Sequence, residues 1–335
     1  MSTGRFFYLV PAESRHRLPA ESIGQHLWRI AFHPGLRRPT GGVKVIYQHC
    51  RMLREAGITA HVVHLGRFTV DWFDHDLQPL SVDEALRIMT PDDILVVPER
   101  IPAAAAAYPA RRKLAFVQNG GLVAPAVGGG RYEDFGFTGI LCCSSYLADF
   151  MAPLTALPRF TVTNGIPLDR FQPDAARRRA GSLLYLKRKT SWHLGREVLS
   201  QLPGDVRDAI SVVEAPNRLT EAEMIRLYQA ADMFMALGFP EGFALPPLEA
   251  MACGAAVAGF TGGGGALHMH DGQSALVAPD GDVPALVDAL TRLVRDQALK
   301  EDLRSGGLAM ARNFDMGTMR RELLAFAAAL RPHGE

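Results

Sequence analysis

The stretch GFPEGFALPPLEAMACG (Gly238–Gly254) holds two carboxylates, Glu241 and Glu249, with seven residues between them in a run otherwise almost without polar groups. It follows MFMAL (Met233–Leu237), a short apolar run that suits a buried strand. Pro246-Pro247 suits the entry of a helix, where proline's fixed φ fits and its missing N–H is not needed. That places Glu241 in a strand-to-helix loop and Glu249 in the first helical turn, both at a strand-exit edge that faces a cleft. A helix-start acid gains about 0.3–1 kcal/mol from the macrodipole, which alone would account for Glu249. The loop EGFA also offers successive backbone N–H groups, and each ionised carboxylate can accept hydroxyl protons. Together they suit a hydroxyl-rich ligand, such as a sugar joined to a ribose.

The same strand-exit logic extends along the chain. Runs of the MFMAL kind recur at FFYLV (Phe6–Val10), HVVHL (His61–Leu65), DILVVP (Asp93–Pro98), KLAFV (Lys113–Val117) and GILCCS (Gly139–Ser144). A second series follows at SLLYL (Ser182–Leu186), ISVV (Ile210–Val213), MFMAL, AAVAGF (Ala255–Phe260) and SALVA (Ser274–Ala278). Helical patterns lie between them, the clearest at Val43, Ile46, Tyr47, Cys50 and Leu53, ended by Gly57 in the C′ role. The alanine run Ala103–Ala107 reads as part of another helix. The alternation predicts an α/β fold of two Rossmann-like, doubly wound domains facing across a cleft. Residues 1–170 form the first, residues 171–312 the second. Residues 313–335 add a C-terminal helix with Met319, Leu323, Phe326 and Leu330 on one apolar face, which packs back across the cleft edge or onto the first domain.

Composition narrows the function classes. The 335 residues are 48% hydrophobic, enough for a large core, and 36 Lys plus Arg nearly cancel 35 Asp plus Glu. A formal charge of +1 gives no global field for nucleic acid, so an anionic ligand must be held by local features. Cys50, Cys142, Cys143 and Cys253 form no CxxC pair and read as reduced, buried thiols of a cytoplasmic protein. No segment approaches the roughly 20 apolar residues of a membrane span. The basic loop HPGLRR (His33–Arg38) reads as a solvated loop, with contact to an anionic acceptor or a lipid head group as its functional alternative.

PEGFALPPLEAMACG resembles the E-x7-E signature of the retaining glycosyltransferases of family 4, which have the GT-B fold. The resemblance implies that Glu241 contacts a donor sugar, that Glu249 binds the ribose of the nucleotide, and that the N–H groups of Phe243 and Ala244, with Leu245 following, lie near the sugar. VTNGIPLDRFQP (Val162–Pro173) is similar to a segment at the family's first-domain exit, with Pro167 where the family usually has Asp. TGGVKVIYQ (Thr40–Gln48) resembles its N-terminal glycine loop, and VAGFTGGGG through HDGQSALVAPDGD follows its course after the glutamates to Asp282.

A nucleotide sugar leaves as a diphosphate, so growing negative charge needs stabilising. Gly41 and Gly42 can bring backbone N–H groups and a helix N-terminus to a phosphate. YLKRKTSW (Tyr185–Trp192) delivers Lys187, Arg188 and Lys189 to the same edge, and the resemblance implies phosphate binding there, with Arg188 and Lys189 in the catalytic role. Many family members have a histidine after a first-domain strand near the donor sugar. Here FVQNGG (Phe116–Gly121) supplies Gln118 and Asn119, which can hydrogen-bond a sugar or acceptor but relay no proton at neutral pH. Asn164 is a further candidate contact. The family's usual glutamate is also absent from GGGGALHMHDG.

The resemblance implies front-face substitution without an enzyme nucleophile, cofactor or metal. The partners are a nucleotide-sugar donor and an acceptor that is a glycan, a lipid-linked molecule or a small molecule, and the domains close about residues 164–172 on binding. Asp74-His75-Asp76 could in principle hold a metal on a diphosphate, and His268 and His270 could join a metal site; both read better as loop residues. A sugar-nucleotide 2-epimerase of the same architecture and a non-catalytic sugar-nucleotide-binding protein are the alternatives.

Overall fold

FFYLV is buried over all five residues, as a parallel strand must be when helices cover both of its faces. In the computed structural model, which describes residues 4–12, 40–187, 191–216 and 218–330, this strand is β1 (Phe6–Val10). It joins β2 (Ala60–His64), β3 (Leu80–Ser81), β4 (Ile94–Pro98), β5 (Arg112–Val117), β6 (Gly139–Cys142) and β7 (Arg159–Thr161). They form one parallel sheet in the order β3-β2-β1-β4-β5-β6-β7. A second parallel sheet, ordered β12-β11-β10-β8-β9, comprises β8 (Ser182–Leu186), β9 (Ser211–Ala215), β10 (Met233–Ala236), β11 (Ala256–Gly259) and β12 (Ala275–Val277). All of the predicted strands are present. β3 and β7 were not anticipated, because two or three residues of mixed polarity carry no periodic signal.

Strand order reverses between β1 and β4 in the first sheet and between β8 and β10 in the second. Such switch points leave a crevice beyond the carboxyl ends of the strands. β10 exits into Gly238 and Glu241, so the stretch Gly238–Gly254 lies at the second switch point.

The alanine run forms a 3-10 helix, Pro102–Ala107. The helix Gly41–Glu55 ends as expected, with Gly57 at φ 76°. Its start corrects the prediction: the glycine pair is the first two helical residues rather than a loop before them. The helix Leu245–Ala252 likewise starts early enough to put Glu249 in its second turn, outside the first-turn setting expected for it.

The C-terminal helix Met316–Ala329 buries Met319, Leu323, Phe326 and Ala327, whereas Leu330 is its half-buried C-cap. The helix lies on the first domain. Phe326 meets Phe6 and Phe160 at ring separations of 6.1 and 5.4 Å, and the Thr163 N–H donates to Glu322 Oε2 at 2.6 Å. Among the described residues, no helix is long and apolar enough to cross a membrane.

One buried carboxyl sits at the exit of β4. Glu99 is 4% exposed, and burial raises its pKa to about 7 although the backbone N–H groups of Gln118 and Asn119 favour its charged form.

Two measurements check this packing. Phe326→Ala should cost about 3 kcal/mol in denaturant unfolding, because the helix loses its anchor between two aromatic rings; a loss under about 1 kcal/mol would contradict the packing. Glu99 ionises in the unfolded chain near its ordinary pKa but resists ionisation in the folded chain up to about 7. Its contribution therefore makes folding stability fall as pH rises through that window and level off above it. The stability of Glu99→Gln relative to wild type should then increase from pH 5 to pH 8, and a constant difference would contradict the burial argument.

Candidate active site in the interdomain cleft

The loop from Gly238 to Ala244 is held from several sides. The Glu241 N–H donates to the Gly262 carbonyl at 2.8 Å, and the Gly264 N–H donates to the Glu241 carbonyl at 3.0 Å. A Cβ at Gly242 would overlap the Gln118 carbonyl of the first domain, and one at Gly264 would overlap Gly242 itself. Ser144 Oγ donates across the cleft to the Gly242 carbonyl at 2.6 Å. His268, fully buried, donates Nε2–H to the Phe243 carbonyl at 2.9 Å, and burial lowers its pKa to about 4, which keeps the ring neutral. His268 is thus a packing group beneath the loop.

This bracing accounts for Ala244 at φ 58°, a left-handed conformation that costs an ordinary residue roughly 1–2 kcal/mol. Ala244 is the N-cap of the helix Leu245–Ala252. Strain of this kind persists only where the surroundings over-determine it.

Glu241 and Glu249 occupy different compartments of one cleft. A cavity of about 270 Å3 is lined by Glu241, Phe243, Ala244 and Leu245 from the second domain and by Gly41, Gly42, Glu99, Gln118, Asn119 and Asn164 from the first. Beside it, a cavity of about 100 Å3 is lined by Thr40, Gly41, Lys44, Trp72, Phe171, Leu245 and Glu249. A Cβ on Gly41 would crowd Leu245, and one on Gly42 would crowd the Gln118 amide, so close approach explains both glycines. Thr40 makes no side-chain cap, and the first helical turn carries no acid. That helix N-terminus is thus electrostatically suited to an anion.

Glu249 is only 9% exposed and already has partners. Lys44 Nζ lies 3.0 Å from its Oε1 and 3.0 Å from Glu221 Oε1, and the Tyr228 hydroxyl donates to its Oε2 at 3.1 Å. Arg170 binds the second oxygen of Glu221 at 2.6 Å and approaches Asp74 at 3.4 Å. Burial opposes the Lys44 charge, but Glu249 and Glu221 outweigh it and raise its pKa.

The first-domain wall is rich in acceptors. Asn164 is 5% exposed, and neither its Oδ1 nor the Oε1 of Gln118 has a hydrogen-bond partner among the described residues. The Gln118 Nε2 donates to the Gly42 carbonyl at 3.3 Å.

Other predicted residues lie elsewhere. Lys187 carries its ammonium to Glu214 on β9 at 3.1 Å, and Arg188 and Lys189 lie outside the described residues, as does HPGLRR. Asp74 faces Arg170, His75 Nε2 bonds to the Val70 carbonyl at 2.9 Å, and no metal-ligating cluster occurs among the described residues. Sequence reasoning missed Lys44, Glu221, Tyr228, Arg170 and Glu99. Lys44 did carry a signal, as the lone charge in the apolar run Val43–Tyr47.

Residues 195–296 match a family model described as "Glycosyl transferases group 1". A D-inositol 3-phosphate glycosyltransferase of Acidothermus cellulolyticus is 31% identical over 118 residues, 35% of this chain and 26% of that protein. The O-antigen chain mannosyltransferase B of Escherichia coli is 38% identical over 88 residues, 26% of this chain and 23% of that protein. The matches thus span about a quarter of those relatives' length. Among solved structures, the sucrose-phosphate synthase of Thermosynechococcus elongatus superposes with a TM-score of 0.70 at 15% identity, over 97% of this chain and 99% of that one. HepE of Anabaena, in complex with UDP-glucose, gives 0.70 at 12% identity, over 98% of this chain and 100% of that one. Residues 195–296 are therefore similar to the glycosyl transferases group 1 family, in a chain that has the GT-B fold of its structural neighbours.

Proposed function

We propose that this protein is a retaining glycosyltransferase that moves a sugar from a nucleoside diphosphate sugar to an acceptor hydroxyl without a metal. The observation that carries the reading is the convergence of Glu241, Glu249 and the N-terminus of the helix Gly41–Glu55 on one interdomain cleft. HepE, which shares the fold, is seen in complex with UDP-glucose.

In this reading the small compartment takes the nucleoside, with ribose hydroxyls donating to Glu249. The diphosphate meets the N–H groups of Gly41 and Gly42, aided by Arg188 and Lys189 of the basic segment that follows β8, while Lys187 stays with Glu214. The sugar enters the larger compartment, where its hydroxyls donate to Glu241 and it lies beside the backbone of Phe243 and Ala244. Gln118, Asn119 and Asn164 hold the sugar or the acceptor.

The acceptor hydroxyl attacks the anomeric carbon from the face on which the diphosphate departs. The bond from that carbon to the phosphate oxygen breaks, the bond to the acceptor oxygen forms, and the departing phosphate oxygen takes the hydroxyl proton. The chain's task is to stabilise the charge that grows on the leaving group. Neither glutamate acts as nucleophile, unlike the carboxylate pair of retaining glycosidases. Closure of the two domains about residues 164–172 brings both halves of the site together.

Calorimetry with UDP, GDP, ADP and their sugar conjugates, with and without EDTA, tests the reading. One nucleotide class should bind saturably and independently of EDTA. Glu249→Ala should weaken that binding roughly tenfold or more, while Glu241→Ala should mainly lower turnover, by about 10²-fold. Unchanged binding and rate in both variants would remove the basis of the assignment. Conversion of the donor to its 2-epimer with no acceptor present would favour a 2-epimerase instead.

A further inference from the structure

Lys44 is the fourth residue of the helix that the glycine pair opens. It is 8% exposed, and its Nζ lies 3.0 Å from a carboxylate oxygen of Glu221, 3.0 Å from one of Glu249 and 5.4 Å from the centre of the Phe171 ring. All three partners lie beyond the first sheet, so the ammonium spans the cleft. Removing an ammonium from water costs several kcal/mol, and a buried pair rarely stabilises more than apolar residues of the same volume would. What such a pair does specify is register: with two acceptors in fixed positions, a slide of either domain breaks both bonds. The backbone adds a second tie at the same place, where the Glu221 N–H donates to the Trp72 carbonyl at 2.6 Å.

The same ammonium also sets Glu249. Lys44 occupies one position on Oε1 and Tyr228 one on Oε2. A carboxylate oxygen accepts two hydrogen bonds, so each retains one position for a hydroxyl, a pair suited to a vicinal diol. We propose that Lys44 is a positioning residue for the nucleotide: it orients Glu249 toward the ribose diol and makes that orientation depend on the closed register of the two domains. The part concerning the ribose rests on the nucleotide-sugar reading above; the part concerning closure does not.

Small-angle X-ray scattering of the ligand-free protein, with nucleotide affinity measured alongside, tests both parts. Lys44→Met should enlarge the radius of gyration of the full chain. It should also raise Kd and KM for the nucleotide sugar about tenfold while changing kcat less than threefold, because binding rather than chemistry is disturbed. Lys44→Arg should recover most of both effects, which a purely space-filling role would not allow. Glu221→Gln, which keeps the side-chain shape and removes one of the two charges, should shift both quantities in the same direction by a smaller factor, and it serves as the probe if Lys44→Met does not fold. Wild-type scattering and wild-type affinity in Lys44→Met, or in Glu221→Gln where that variant stands in, would overturn the proposal. Failure of the wild-type protein to bind any nucleotide would overturn the ribose part together with the functional reading, and the scattering comparison would still decide the closure part.

Discussion

The cleft depends on one electrostatic constraint: a buried ammonium from the first domain must find its counter-charge on the second. Lys44 meets it through Glu221 and Glu249, and the relative placement of the two sheets follows. With that register fixed, Gly242 can lie against the Gln118 carbonyl, where a side chain would not fit, and Ser144 can reach the Gly242 carbonyl. The glycine-pair helix then points its uncapped N-terminus at the loop that carries Glu241. Two parallel sheets with exposed strand exits become two walls of one compartmented cleft.

The second wall is rigid where the first is tuned. Ala244 holds a left-handed backbone because Phe243, His268, Gly262 and Gly264 leave the loop no alternative. His268 can do this only as a neutral ring, and burial keeps it neutral. The first wall presents acceptors instead: Asn164 Oδ1 and Gln118 Oε1 lack partners among the described residues, and Glu99 is a carboxyl buried beside them. That asymmetry suits a ligand that arrives with hydrogen-bond donors, as a sugar does.

The architecture was legible because strands buried on both faces leave continuous apolar runs, and β1, β4 and β10 are such runs. β3 and β7 were invisible for the opposite reason, being too short to show a period. The placement of Glu241 at a strand exit was readable from MFMAL followed by two prolines. The surroundings of Glu249 were not, because its partners are 205 residues away at Lys44 and 21 away at Tyr228. Each half of that bridge left the same trace, a lone charge in an apolar run, at VKVIY for Lys44 and LPPLEAMA for Glu249. A buried charge predicts that a partner exists without saying where it is. Glu99 left no such trace, since VVPER reads as an ordinary polar strand exit.

The most direct measurement is a crystal structure of the protein with a bound nucleoside diphosphate sugar. The ribose should lie on Glu249, the diphosphate at the N-terminus of the helix Gly41–Glu55 and the sugar against Glu241 and the backbone of Phe243 and Ala244. A nucleotide bound away from Glu249, or a diphosphate turned from that helix, would contradict this placement.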